Sequence, residues 1–265
     1  MKGKVTIGGV GPGDPELVTL KLCAALKTAD AVVTDRLVNP IIIETHACRA
    51  EVIFAGKQGY NENSFKQEDI SQLLADKALE GKHVVRLKGG DVAFFSNVLS
   101  ELKILRSHRI PFEIIPGVTA ASAASAYTGI PLTAREYSSG VRFISYREKN
   151  DWTPADWESL RHTSDTIVLY MSTRNAPLFF EKLFQKNCAD RPVIAVQHAS
   201  TAAQKAAVFQ LSEWTAFNFE MLETPAIFIA GQAAGLFPAF EWFHPVPGES
   251  VFQPIAVQDL WNLSD

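Results

Sequence analysis

Asp35 and Lys57 are two ionisable side chains that strand ends deliver into loops. Each follows a run of strand-forming residues, Ala31 to Thr34 and Glu51 to Ala55, at the point where the run gives out. A carboxylate there can take a proton, and an ammonium can return one or anchor an anionic substrate. The plainer alternatives are a loop carboxylate paired with Arg36 and a solvated lysine. Glycine-rich turns end two further runs: Gly8-Gly9-Val10-Gly11-Pro12-Gly13-Asp14-Pro15 after Lys4 to Val10, and Gly89-Gly90-Asp91 after Val84 to Lys88. Adjacent glycines permit positive φ and a close approach to the backbone. In an open α/β sheet, ligands sit beyond the carboxyl ends of strands. By itself Gly-Gly-Asp also reads as a tight turn with Asp91 capping the next helix. Pro116 to Ser122 opens a helix of very small residues, whose first N–H groups await an acceptor.

Gly9-x-Gly11 between a strand and a helix, with Asp35 ending the second strand, invites a dinucleotide reading. The third glycine of that fingerprint would be residue 14, which is Asp14. A carboxylate there repels a pyrophosphate, which argues against NAD.

These residues need a scaffold, and the chain supplies the pattern for one. Helical periodicity follows the first strand from Pro15 to Asp30, then over Pro40 to Thr45, Phe65 to Glu80 and Ser96 to Ser107, with Gly81 as a C-cap. A strand at Phe112 to Ile115 closes this half. The alternation predicts an α/β fold with a mostly parallel, doubly wound sheet over residues 1–115. The pattern restarts over 116–240, with strands at Val141 to Tyr146, Thr166 to Met171, Pro192 to His198, Ala206 to Leu211 and Pro225 to Ala230. Helices are expected at Pro154 to Arg161, Asn175 to Asn187 and Ser212 to Phe219. Two strands around one short helix near the close predict some antiparallel pairing, hence a mixed sheet. Residues 241–265 hold Pro245, Pro247, Gly248 and Pro254 and read as an extended tail.

Hydrophobic residues make up 47% and charged residues 20%, enough for a sizeable core. The formal net charge of −4 argues against a general nucleic-acid binder but leaves room for a basic pocket. The three cysteines, Cys23, Cys48 and Cys188, are far apart, so neither a structural metal site nor a disulfide framework is expected, and a reducing cytoplasm is the simplest compartment. No apolar run is long enough to span a membrane, and the early strand leaves no room for a signal peptide.

Taken in order and spacing, these pieces resemble the uroporphyrinogen-III C-methyltransferases, within the wider tetrapyrrole methylase family. The resemblance covers about Lys4 to Gly231. It is carried by Gly9 to Pro15, Asp35-Arg36-Leu37-Val38, Gly56-Lys57, Gln67-Glu68-Asp69-Ile70, Val84 to Asp91 and Pro111-Phe112. Further on it rests on Pro116 to Ser122, Ala126-Tyr127-x-Gly129-Ile130-Pro131-Leu132-Thr133, Tyr170-Met171 and Thr224-Pro225-Ala226. It implies two αβα domains in tandem with S-adenosylmethionine folded into the cleft between them, S-adenosylhomocysteine as the product, and a homodimer. Cofactor contacts would come from Pro12, Gly89, Gly90, Asp91, Phe94, Thr119, Ala120, Met171, Ala199 and Ala226. The implied reaction adds two methyl groups to uroporphyrinogen III, giving precorrin-2 on the way to sirohaem or cobalamin. Asp35 would be the general base and Lys57 the proton donor or carboxylate anchor. A polycarboxylate substrate calls for basic residues, with Arg36, Arg135, Arg142, Arg147 and Arg174 as candidates. The chain departs from the family pattern at Asn97, where an arginine is usual, and at Ser145-Tyr146-Arg147, where Thr-Gly-His is frequent. The competing readings are a methylase of another tetrapyrrole, a nicotinamide-dependent oxidoreductase and a non-enzymatic ligand-binding scaffold.

Overall fold

The structure is a computed structural model that describes residues 2–55, 67–149, 152–185 and 190–245. Lys57 and residues 246–265 of the expected tail lie outside the described residues. The chain divides into two compact units, one running through Thr119 and the other starting at Ala120.

The first unit holds β1 (Lys4–Gly9), α1 (Leu20–Lys27), β2 (Ala31–Thr34), α2 (Pro40–His46), β3 (Glu51–Phe54), α3 (Gln67–Leu79), β4 (His83–Lys88), α4 (Val98–Ser107) and β5 (Phe112–Ile115). Its sheet runs β3-β2-β4-β1-β5, and every pairing is parallel. Both faces are buried, as such sheets require. One face packs Val5, Ile7, Val33 and Val84 with Leu74 and Leu105 of α3 and α4. The other packs Val32, Val85 and Leu87 with Leu22, Leu26 and Ile42 of α1 and α2. Leu22, Leu74 and Leu105 are wholly buried, each stabilising the fold by about 1.5–3 kcal/mol.

Two expected helix starts move. The helix expected from Pro15 is instead a short 3₁₀ turn over Pro15–Leu17, after which α1 starts afresh. Asp14 caps the turn, accepting from Glu16 N at 2.9 Å, and Thr19 caps α1, accepting from Leu22 N at 3.2 Å. The helix α4 begins at Val98 rather than Ser96, because Asn97 sits at φ 53° and the Ser96 hydroxyl turns back to Val92 O.

The second unit holds α5 (Ala120–Thr128), β6 (Val141–Ser145), α6 (Pro154–His162), β7 (Thr166–Tyr170), α7 (Ala176–Leu183), β8 (Pro192–Gln197), β9 (Lys205–Gln210) and β10 (Ala226–Ala230). Its sheet runs β6-β7-β10-β8-β9. β6 and β7 are parallel, whereas β10 pairs antiparallel with β7 and β8, and β9 antiparallel with β8. The expected helix over Ser212 to Phe219 does not form. Two 3₁₀ turns, Leu211–Glu213 and Phe219–Met221, stand there. A segment so short is marginal as a helix, and packing decides. Phe217 stacks on Phe209 at 4.3 Å, and Phe219 lies 5.9 Å from Phe180, which fixes the aromatic side chains inward. No helix among the described residues is long and apolar enough to cross a membrane.

Candidate active site

The carboxyl ends of β1, β2, β4 and β5 all open on one edge of the first unit's sheet, so parallel pairing gathers residues far apart in sequence. The loops after β1, β4 and β5 are locked together there by their backbones. Gly90 N donates to Gly11 O at 2.7 Å, and Gly11 N to Gly90 O at 3.1 Å. A Cβ on Gly9 would lie 2.5 Å from Gly90 O and 2.9 Å from Gly117 N. One on Gly117 would lie 2.6 Å from Gly9 O. Asp91 finishes the lock: one carboxylate oxygen accepts from Ala93 N and the other from Gly117 N, both at 2.7 Å. Asn39 ties in the first loop, donating to Gly13 O at 2.8 Å.

This geometry limits what the Gly89–Asp91 turn can offer. The Gly90 N–H is spent on Gly11, so what Gly90 offers a ligand is its missing side chain, at φ 69°, and a second carbonyl lone pair. The Asp91 carboxylate is buried and holds loops together, and it caps no helix.

Asp35 stands beside this lock, at the end of β2. Its side chain is 29% exposed. Leu37 N donates to Asp35 Oδ1 at 3.2 Å, and the Leu37 Cβ lies 2.8 Å from where a side chain on Gly89 would begin. The ion partner of Asp35 is Arg86, with Nη2 at 3.6 Å from Oδ2, and Arg36 is exposed. Burial pushes the Asp35 carboxyl above the ordinary range, outweighing the neighbouring Arg86 guanidinium and the Leu37 N–H, both of which pull it down. A carboxylate raised this way is suited to exchanging a proton.

Arg86 belongs to a buried charge cluster. Its Nε lies 3.3 Å from Glu101 Oε1, and its Nη1 donates to Leu87 O at 2.8 Å. Lys88 Nζ lies 3.0 Å from the same Glu101 oxygen and donates to Ser96 O at 2.8 Å. Burial pulls the Lys88 ammonium below its ordinary value. Nothing in the sequence reading identified this cluster. The signal was present: Arg86 and Lys88 alternate with Val85 and Leu87 along a central strand, and buried charges need partners.

In the second unit, Met171, Ala199 and Ala226 come together at one end of the sheet. The β10–β7 register, continued by two residues, puts Ala226 opposite Met171. His198 N donates to Pro225 O at 2.9 Å, which brings Ala199 to the same end. Met171, His198 and Ser200 adopt positive φ (50°, 47° and 67°), strain of the kind that gathers at ligand sites. Met171 is 56% exposed, a large thioether surface held on that strained backbone. Arg147 follows β6 at this end and is exposed. Ala121 N in the first turn of α5 donates to the Tyr170 hydroxyl at 3.0 Å.

The remaining residues are scattered. Pro12, Thr119 and Ala120 are half-buried at loop and helix starts, and Phe94 is exposed just past Asp91. Arg135 is exposed and lines a hollow with Tyr137 and Ser164. That hollow is at the amino end of β7, where Thr166 N donates to Ser138 Oγ, and Met171 is at the other end. Arg142 is also at the amino end, bound to Asp165 at 2.8 Å and Ser159 at 2.8 Å. Arg174 lies in the 3₁₀ turn Thr173–Asn175 that follows β7.

Comparison with known proteins identifies the family and the fold. The family model described as tetrapyrrole (corrin/porphyrin) methylases matches residues 4–215. Siroheme synthase 2 of Pectobacterium atrosepticum is 41% identical over 244 residues, covering 91% of this chain and 52% of that protein. The chain thus spans about half the length of the curated relatives it matches. A solved uroporphyrin-III C-methyl transferase from Thermus thermophilus, complexed with S-adenyl homocysteine, is 31% identical with a TM-score of 0.73, covering 89% of this chain and 100% of that one. A cobalt precorrin-4 methyltransferase is 26% identical with a TM-score of 0.76, covering 87% and 95%. With a model match over most of its length and the two-unit α/β architecture of those structures, the chain belongs to the tetrapyrrole methylase family.

Proposed function

We propose that the protein is an S-adenosylmethionine-dependent C-methyltransferase that adds two methyl groups to uroporphyrinogen III, giving precorrin-2. The observation that carries this reading is the likeness, over 89% of this chain and 100% of the other, to the Thermus thermophilus uroporphyrin-III C-methyl transferase complexed with S-adenyl homocysteine.

The residues present suit that cofactor. Small residues at Gly90, Ala120, Ala199 and Ala226 suit the close approach of a flat, bulky ligand, whereas the space beside Gly89 is taken by Leu37, and Met171 gives a polarizable apolar wall. Pro12, Thr119, Phe94 and the backbone of the Gly89–Asp91 turn complete the proposed contacts. When bound, the cofactor supplies an electrophilic methyl group on a sulfonium. The protein's own part is to position and to move a proton. Holding a pyrrole carbon in line with the methyl group lowers the barrier through orientation alone. Asp35 then takes the proton that leaves the macrocycle, a role its raised pKa fits. Lys57 is proposed as carboxylate anchor or proton donor, with Arg36 and Arg147 as further substrate contacts. A homodimer completes the reading.

The cobalt precorrin-4 methyltransferase likeness favours one second reading, a precorrin-class substrate. Incubation with uroporphyrinogen III and methyl-labelled S-adenosylmethionine, followed by mass analysis, decides. Two methyl additions are expected. Full cofactor binding with no transfer to uroporphyrinogen III, but transfer to a later methylated intermediate, would replace this reading by the second.

A further inference from the structure

Glu101 is wholly buried, yet it is a carboxylate on a helix that faces the core of the first unit. All its bonds converge on one oxygen: Arg86 Nε at 3.3 Å, Lys88 Nζ at 3.0 Å and Gln67 Nε2 at 3.4 Å all reach Oε1. Its Oε2 is buried with no hydrogen-bond partner among the described residues. A core built for stability alone has no use for this arrangement. Buried ion clusters replaced by apolar side chains of like volume are often neutral or more stable, and an orphaned carboxylate oxygen is a further cost.

What the arrangement does is aim Arg86 at Asp35, with the Lys88 ammonium held behind it. Arg86 is gripped at Nε by Glu101 and at Nη1 by two backbone carbonyls, Val33 O at 3.3 Å and Leu87 O at 2.8 Å. Its remaining nitrogen, Nη2, is the one 3.6 Å from Asp35 Oδ2. Among the described residues, the charged groups around Asp35 are Arg86 and Lys88 of β4, Glu101 of α4 and, in its own loop, Arg36. Without Glu101, two buried cations would face one carboxylate.

We infer that Glu101 is a positioning residue for proton transfer: it fixes Arg86 and Lys88 and balances their charge, so that Asp35 is oriented yet still basic. The inference rests on the proposed role of Asp35 as the base. Its charge arithmetic makes it testable. Removing the negative charge of Glu101 leaves Asp35 beside an uncompensated cation, and its titration moves to lower pH. Removing the positive charge of Lys88 moves it to higher pH.

The test compares Glu101→Gln, Lys88→Gln and parent proteins by the acid limb of kcat/KM against pH. In parallel, carbon-13 NMR of labelled aspartate carboxyls follows Asp35 directly, with Asp35→Asn identifying its resonance. Glu101→Gln is expected to lower both by about one pH unit, the scale set by a neighbouring charge, and Lys88→Gln to raise them. A purely structural Glu101 would lower Tm and leave the titration where it was. A folded Glu101→Gln protein with an unmoved Asp35 resonance overturns the inference. If Glu101→Gln does not fold, an unmoved resonance in Lys88→Gln does so. If the resonance moves but the acid limb does not, the cluster acts on Asp35 as inferred and it is Asp35's role as base that falls.

Discussion

Two opposed influences set the carboxyl of Asp35. Burial raises its pKa, and Arg86 limits the rise. The balance has a consequence for stability. A group whose folded pKa lies above its unfolded one favours the folded state at low pH, and that contribution disappears as pH rises through the folded pKa. At neutral pH the ionised Asp35 is therefore held at a cost. Asp35→Asn keeps the shape and the bond from Leu37 N but carries no charge. It is expected to lose turnover by about 10²–10⁴-fold while melting higher than the parent at neutral pH, with the gap in Tm closing as pH falls into the carboxylate range. A folded Asp35→Asn protein with parent-like turnover would remove Asp35 from the mechanism. The position of Asp35 at a strand end was legible from Ala31 to Thr34 before it. Its partner was not: Arg36 is adjacent in sequence, but parallel pairing sets Arg86 in the neighbouring strand, with Val33 its register partner.

The elements show where local signals suffice. β5 and the start of α6 stand where the alternation and the Thr153–Asp156 capping box put them. Helix starts at Pro15 and Ser96 moved because side-chain caps and one positive φ overrode periodicity. The glycines were legible as special, but only in part. Gly9 and Gly117 are required by backbone meeting backbone, which spacing along the chain does not reveal. Gly117→Ala is accordingly expected to force the loops after β1 and β5 apart. It should destabilise the first unit by about 1–3 kcal/mol, the usual cost of overpacking, read as a lower denaturation midpoint. An unchanged midpoint would mean the loops have slack that these contacts do not show. In the second unit, Phe180 touches Phe179, Phe209 and Phe228 at 5.4–5.6 Å. Phe180→Ala should cost about 3–5 kcal/mol, measured by the same titration.

For the whole molecule, the alternation of strands and helices announced an α/β chain in two parts, and the mixed second sheet followed from its closing strands. What stayed out of reach was long-range: which strands neighbour which, and so which residues share an edge. Ligand linkage offers a test at this scale. S-adenosylhomocysteine at 100 times its Kd should stabilise the native protein by about 2.7 kcal/mol and raise Tm, while NAD leaves Tm unchanged. A rise with NAD alone would revive the oxidoreductase reading.

The interlocked turns at Gly9–Gly11, Gly90 and Gly117 also bear on the order in which the chain assembles. Their contacts join positions separated by most of the first unit's length, and such non-local closures are entropically expensive. They can form only after β1 has paired with both β4 and β5. The edge that the cofactor is proposed to occupy is then a late product of folding. In a denaturant titration, the ability to hold S-adenosylhomocysteine should vanish before the helical signal does, and a nascent chain should remain blind to its cofactor until β5 has docked.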